Sequence, residues 1–329
     1  MTKAMNINYH PRRDDFTDRL FSFLSHKLPF TLSRLIKIRE HVFLVKSDRL
    51  SFILKAFPNL SKLTLQQDLT ASLIKAGFQE TYSFYQFTDE PLFFENSYYG
   101  CISYIKMSHQ PFTFQSHDER EEGLDLLKKL HDVSEAILPD YNSLLPRQDL
   151  EAKWEDRFER FNLNLSIINY YVPDAVLASL IDWGKVALIG MRKWRGKFEK
   201  DRHVILHGDV AHHNFVRANT GELYLIDFDL VSIGSESSDI LQYANRILPH
   251  LNWSQEALFK LGPISIFKPS LHFLYGLMYP SDIYREWNRV IRQNTYYRPE
   301  RIAPLFDLTV RQFSERQRFI ERLKNSYLP

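Results

Sequence analysis

The stretch Val204-Ile-Leu-His-Gly-Asp-Val-Ala-His-His-Asn-Phe-Val216, followed closely by Tyr224-Leu-Ile-Asp-Phe-Asp229, constrains this chain more than any other. An apolar run leads into His207-Gly208-Asp209, four residues intervene before Asn214, and a second apolar run delivers Asp227 at its end. Gly208 opens backbone conformations closed to residues with a side chain, so a sharp turn after the first run is expected. A plain strand-turn-strand unit whose polar residues cap the turn accounts for part of this pattern. It leaves unexplained why two carboxylates and an amide recur at set places between His207 and Asp239.

Phosphoryl transfer explains them. Moving a phosphoryl group from ATP demands little covalent work from a protein and much positioning and charge neutralisation. One carboxylate accepts the proton of the attacking hydroxyl, while an amide and a second carboxylate hold magnesium against the phosphates. Asp209 fits the base, Asn214 a metal ligand from the same loop, and Asp227 the main metal ligand from the next strand end. Magnesium takes hard oxygen donors and usually only one or two carboxylates beside the substrate phosphates, so this set is sufficient. Protein kinases separate the Asp and the Asn of their catalytic loop by the same interval.

With Gly208 in the loop and Asp227-Phe-Asp229 where protein kinases carry Asp-Phe-Gly, the chain resembles the aminoglycoside phosphotransferase and choline kinase family, and within it the spore-coat kinase-like (CotS-type) branch. The resemblance implies an α+β, two-lobed protein-kinase-like fold. Its small antiparallel-sheet lobe would span residues 1–104 and its larger, mainly helical lobe residues 105–329. Also implied are ATP and Mg2+ as cofactors, a small-molecule hydroxyl as acceptor, and spore-coat proteins as partners. His207 is then expected to support the loop's shape and Asp239 to brace it. Asp229 would assist a second magnesium or cap the following turn. His212 and His213 have no third ligand at useful spacing and read as facing substrate or solvent. The short interval from Asp227 to Gly234 and Asp239, without Ala-Pro-Glu, argues against a protein kinase.

Composition agrees with this reading. A chain of 329 residues with 44% hydrophobic content can bury a substantial core in two lobes. Net charge of +2 gives no general case for nucleic acid. The single Cys101 excludes an intrachain disulfide and fits a reducing compartment. The first residues lack the apolar core of a signal peptide, and no apolar run approaches about 20 residues. A soluble protein made in the cytoplasm, without a membrane partner and then incorporated into the spore coat, is expected. Oligomeric state is left open.

In chain order, Phe16, Leu20, Phe21, Phe23 and Leu24 recur at helical spacing before Pro29, predicting a helix over residues 14–28. Residues 32–57 read as short strands around 35–38, 41–46 and 50–57, separated by charged turns. Lys55 lies in the third, where an ammonium group needs a partner or partial solvation. By the resemblance it holds the ATP phosphates; as an ordinary edge-strand lysine it would face water. The family's helix Glu is absent between residues 60 and 76, which leaves Asp68 as the candidate partner of Lys55, or else as an ordinary solvated helix position. Kinases cover the phosphates with a glycine-containing hairpin, because backbone amides must approach closely. Here no glycine precedes Gly77, and the turns at 39–41 and 47–49 are bulky and charged. Aromatic-rich strands follow at 82–87 and 98–105. The resemblance makes Ile102, Ser103 and Tyr104 the hinge that meets adenine.

From residue 117 the pattern turns helical, with Leu124, Leu127, His131 and Leu138 on one face, and His131 reads as a core or interlobe residue. Residues 139–146 form a break, and 150–171 and 175–200 read as two further helices. Asp140, Asp149, Glu151, Glu155 and Asp156 read as solvated helix positions. No carboxylate cluster therefore announces an amine-bearing acceptor such as an aminoglycoside or choline. Serines at 235–238 suit the start of the next helix. Between residues 285 and 324, ten Lys/Arg stand against five Asp/Glu, a solvated face or a surface for an acidic coat partner.

Two readings from different classes follow. In the first, the protein phosphorylates a small-molecule hydroxyl with ATP and magnesium. In the second, it is a catalytically weak or inactive pseudokinase serving as a structural protein of the bacterial spore coat. The glycine-free turns favour the second; the joint presence of Lys55, Asp209, Asn214 and Asp227 favours the first.

Overall fold

The computed structural model describes residues 15–329; residues 1–14, including Asp14 at the start of the expected first helix, lie outside the described residues. Two compact units form, one from the residues up to Lys75 with Thr81–Lys106, the other from Ala76–Glu80 with Met107–Pro329.

The first unit pairs helices α1 (Asp15–Lys27) and α2 (Leu60–Lys75) with strands β1 (Leu32–Arg39), β2 (Val42–Ser47), β3 (Ser51–Phe57), β4 (Phe84–Tyr85), β5 (Leu92–Phe94) and β6 (Ser97–Ser103). All pairings are antiparallel, in the order β1-β2-β3-β6-β4, with β5 also on β6. Alternation along β3 sends Phe52 and Leu54 into a core with Leu20, Leu24 and Leu28 of α1 and Phe43 and Val45 of β2. Lys55 belongs to the alternate set and lies opposite Gly100 in the register. Two aromatic strands were expected and three form, because Glu95 and Asn96 take positive φ values of 41° and 63° and close a hairpin between β5 and β6.

The second unit is mainly helical. It contains α3 (His117–Tyr141), α4 (Leu150–Leu163), α5 (Leu165–Ile168), α6 (Asp174–Trp194), α7 (Ser237–Ile247), α8 (Gln255–Lys260), α9 (Gly262–Ser265), α10 (Leu271–Met278), α11 (Ser281–Arg292), α12 (Pro299–Phe306) and α13 (Phe313–Tyr327). Between α6 and α7 four short strands form two antiparallel pairs. β7 (His203–Leu206) joins β10 (Ser232–Ser235), and β8 (Phe215–Arg217) joins β9 (Leu223–Leu225).

Ser116 and Glu119 form a capping box that starts α3. The helix continues through Pro139, where a break was expected; so near its end, proline removes one amide bond without interrupting a following turn. The helix expected over 150–171 instead ends at Leu163. Asn164 donates its side-chain amide to the Arg160 carbonyl, a local bond that competes with helix continuation. Trp154 of α4 stacks on Tyr279 with ring centroids 4.4 Å apart. Tyr284 of α11 donates its hydroxyl to the Leu180 carbonyl of α6 at 2.6 Å. The basic segment at 285–324 resolves partly into ion pairs, among them Arg289–Glu286, Arg311–Asp307 and the buried Arg316 with Asp282. No helix among the described residues is long and apolar enough to cross a membrane.

Candidate active site

Strand β7 runs directly into the His207-Gly208-Asp209 loop. Gly208 has φ +78°, and a Cβ there would run into the Leu230 carbonyl oxygen, so both conformation and space demand glycine. Asp239, fully buried in the first turn of α7, holds the loop by its backbone. Its Oδ2 accepts from the His207 amide at 2.7 Å and its Oδ1 from the Gly208 amide at 3.0 Å. His131 of α3 brings Nε2 to 3.2 Å from Oδ2. Burial pushes the Asp239 carboxyl up, but the His131 hydrogen bond, the nearby His131 and His207 imidazoles and the His207 amide outweigh it and leave the group below its ordinary value.

The His207 ring closes the loop from inside. Its Nδ1 accepts from the Asp209 amide at 3.3 Å, so its Nε2 carries the proton donated to the Ile226 carbonyl at 2.9 Å. Both ring nitrogens are thus committed. His207 therefore ties the loop to the strand end before Asp227.

Asn214 ends a short turn over His212–Asn214 and is buried. Its Nδ2 donates to the Asp209 carbonyl at 2.8 Å, and its own carbonyl accepts the Ile226 amide at 2.9 Å. The loop and the strand end are thus stitched together at Asn214. With Nδ2 committed, Oδ1 is the atom left to accept a cation. Asp227 follows β9 with φ 73° and ψ 66°, a left-handed conformation uncommon outside glycine and more open to Asp and Asn than to most residues. Asp229 is exposed in the turn Phe228–Leu230. Asn214 Oδ1 and the Asp227 carboxylate are hard oxygen donors of the kind magnesium takes beside substrate phosphates. Among the described residues no group of three His, Cys, Asp or Glu side chains could hold a metal by itself.

Asp209 is the one member of this set whose carboxylate lines a cavity of about 420 Å³. Arg246 donates from Nη2 to Asp209 Oδ1 at 2.7 Å. Lys153 and Arg157 of α4, Gln242 and Arg246 of α7, and Asp282 and Arg285 of α11 share that lining. Burial, with Arg285 nearby, lowers Arg246 to about 10, which leaves it protonated at neutral pH.

In the first unit, Lys55 is buried and its Nζ sits 5.5 Å from the centre of the Phe57 ring. Asp68, the partner expected for it, is exposed and makes no ion pair with Lys55 among the described residues. The helix turns Gln66 and Thr70 inward instead, and Gln66 Oε1 accepts from the Tyr82 hydroxyl at 3.2 Å. Of the three residues expected at the hinge, two lie within β6. Ile102 pairs with Ile53 on one side and Phe84 on the other, and Ser103 donates its amide to the Ser83 carbonyl at 2.8 Å. Both are committed to the sheet, and of the three only Tyr104 lies past the strand end. Where a glycine hairpin was missed in the sequence, the β1–β2 turn places His41 at φ 63° beside an exposed Glu40.

Sequence reasoning missed Arg246 and the cavity cations, and it left His131 as a core residue. A signal existed in α7: Asp239, Gln242 and Arg246 fall at i, i+3 and i+7, one polar stripe on an otherwise buried helix. Glu151, read as solvated, is buried and pairs with Arg195, which removes it from any acceptor pocket.

No family model matches this chain. Among solved structures it is similar to an aminoglycoside phosphotransferase from Alicyclobacillus acidocaldarius subsp. acidocaldarius, with TM-score 0.68 and 12% identity over 91% of this chain and 94% of that one. It is also similar to a spectinomycin phosphotransferase solved with ADP and spectinomycin (TM-score 0.59, 13% identity, 93% and 97% covered). A choline kinase from Streptococcus pneumoniae is a third (TM-score 0.50, 15% identity, 93% and 99% covered). Likeness at these identities establishes the fold, which is kinase-like.

Proposed function

We propose that this protein transfers the γ-phosphoryl group of ATP to the hydroxyl of a small molecule, with magnesium. The observation that carries this reading is that Asn214 ties the Asp209 loop to Ile226, the residue before Asp227, while Asp239 holds the loop from behind. ADP and spectinomycin in the similar phosphotransferase support the substrate classes. Asn214 Oδ1 and Asp227 would hold magnesium, which supplies charge neutralisation on the phosphates when bound. Asp209 takes the hydroxyl proton as the acceptor oxygen bonds to the γ-phosphorus and the bond to the ADP oxygen breaks. Lys55 is the proposed phosphate-binding cation of the first unit. A spore-coat location, drawn from the resemblance, belongs to this reading as its setting.

The second reading is an inactive interaction protein of the spore coat. The charged β1–β2 turn, with Glu40 and His41 in place of glycine, favours it.

Thermal unfolding with and without ATP and magnesium separates the two, beside an Asp227→Asn control. Ligand at 100 times its dissociation constant stabilises the native state by about 2.7 kcal/mol, a shift of a few degrees. A shift that requires magnesium and disappears in the control is expected. No shift at millimolar ATP would replace the first reading with the second.

A further inference from the structure

The cavity beside Asp209 has the wrong charge for an amine. Aminoglycosides and choline are cations, and a site for them needs carboxylates free to face the ligand. Here Lys153, Arg157, Arg246 and Arg285 line the space. The acidic residues on the same lining are already engaged: Asp209 by Arg246, Asp282 by Arg316 and Glu286 by Arg285 and Arg289.

Lys153 and Arg157 are the informative pair. They sit one turn apart on α4, so their side chains leave the same face, and like charges at that spacing repel. Among the described residues neither side chain has a hydrogen-bond or ion-pair partner. Both are half-buried. Burial and Arg157 hold the Lys153 ammonium below its ordinary value, and burial and Arg285 do the same to Arg157. Holding such charges together in a partly dry cavity costs stability unless an anion joins them. Guanidinium groups match phosphate and carboxylate oxygens two at a time, which makes the arrangement chemically directed.

From this cavity and its two unpartnered cations we infer that the hydroxyl acceptor is an anion, a small polyol-like molecule carrying a phosphate or carboxylate group, held by Lys153 and Arg157 with Arg285 beside them. The volume, about 420 Å³, suits a small molecule. Trp154 and Leu230 supply apolar wall, and Arg246 keeps Asp209 beside the anion site. The inference deepens the phosphotransferase reading, on which the word acceptor rests; the anion site itself does not depend on it.

The test is equilibrium binding to the full-length protein without nucleotide, by calorimetry or melting temperature at constant ionic strength. The probes are inorganic phosphate, glycerol 3-phosphate, glycerate, glycerol and choline. Phosphate and at least one of the two anionic alcohols should bind saturably, glycerol and choline should not, and comparison of glycerol 3-phosphate with glycerate identifies the anionic group. Arg157→Gln and Arg285→Gln should each weaken binding roughly tenfold or more, the scale of a charged hydrogen bond. Arg157→Gln relieves repulsion and should melt no lower than the parent, whereas Arg285→Gln also gives up its pair with Glu286. Asp227→Asn should keep the anion response, which separates this site from one for nucleotide phosphates. Saturable choline binding, no anion binding, or anion binding unchanged in both arginine variants overturns the inference. ATP and magnesium added to the same samples test the phosphotransferase reading separately, because its failure leaves the anion result intact.

Discussion

Arg246 donates a hydrogen bond to Oδ1 of Asp209 at 2.7 Å from the same helix on which Asp239 accepts the amides of His207 and Gly208. Seven residues separate Asp239 from Arg246, two turns of α7, so both project from one face. One helix therefore sets the backbone of the loop and aims its carboxylate. In the proposed reaction Arg246 would act on Asp209 as a positioning residue.

That arrangement separates two variants. Asp209→Asn should leave stabilisation by ATP and magnesium intact and lower transfer by roughly 10²- to 10⁴-fold, the range for losing a general base. Arg246→Gln should lower kcat by roughly tenfold with KM for ATP unchanged, because it loosens the carboxylate without removing it. Steady-state kinetics on an acceptor found by the binding screen decides this. A change confined to KM for ATP would remove Arg246 from its positioning role.

Asp239→Ala should be strongly destabilising. It strands the buried amides of His207 and Gly208 and leaves His131 without its carboxylate. Each stranded group costs about 1–3 kcal/mol, for a total near 3–5 kcal/mol. Urea unfolding measures it; a loss under about 1 kcal/mol would mean the loop does not depend on this brace.

Gly208→Ala should cost roughly 2–5 kcal/mol, combining a left-handed residue with a collision at the Leu230 carbonyl. Asp227 also has positive φ, but Asp227→Asn should be tolerated in stability, because asparagine accepts that conformation readily. Paired melting curves of the two variants give the comparison. Equal destabilisation would contradict it.

Acid should weaken the fold through two carboxylates. Asp239 is held low despite burial by His131 and the His207 amide, and Asp282 despite burial by Arg316. A depressed carboxyl contributes stability above the unfolded value near 3.9 and loses it as pH falls through the lower folded value. The urea midpoint should therefore hold above about pH 4 and fall below it, and the fall should be shallower in Asp282→Asn. A midpoint that stays level down to about pH 2.5 would refute both assignments.

The spacing of His207, Gly208, Asp209, Asn214 and Asp227 was legible in the sequence because each depends on its chain neighbours: a strand end, a turn that needs glycine, a second strand end. The strands at 32–57 were legible too, since alternation of apolar residues is a local property. Where Asp68, Ile102 and Ser103 would stand in the fold was not legible, and for one physical reason. Which face a helix turns inward, and whether a strand residue's amide is free or bonded across the sheet, depends on neighbours far along the chain. The cavity is the extreme case. Lys153 and Arg157 looked like ordinary helix charges, Arg285 like part of a solvated basic face, and Arg246 carried no motif. Local pattern by itself determined the His207–Asp209 loop and the kinase-like class of fold. Only tertiary packing, by bringing α4, α7 and α11 to one space, decided that four cations meet beside Asp209, because burial and charge proximity are properties of the fold and not of any segment within it.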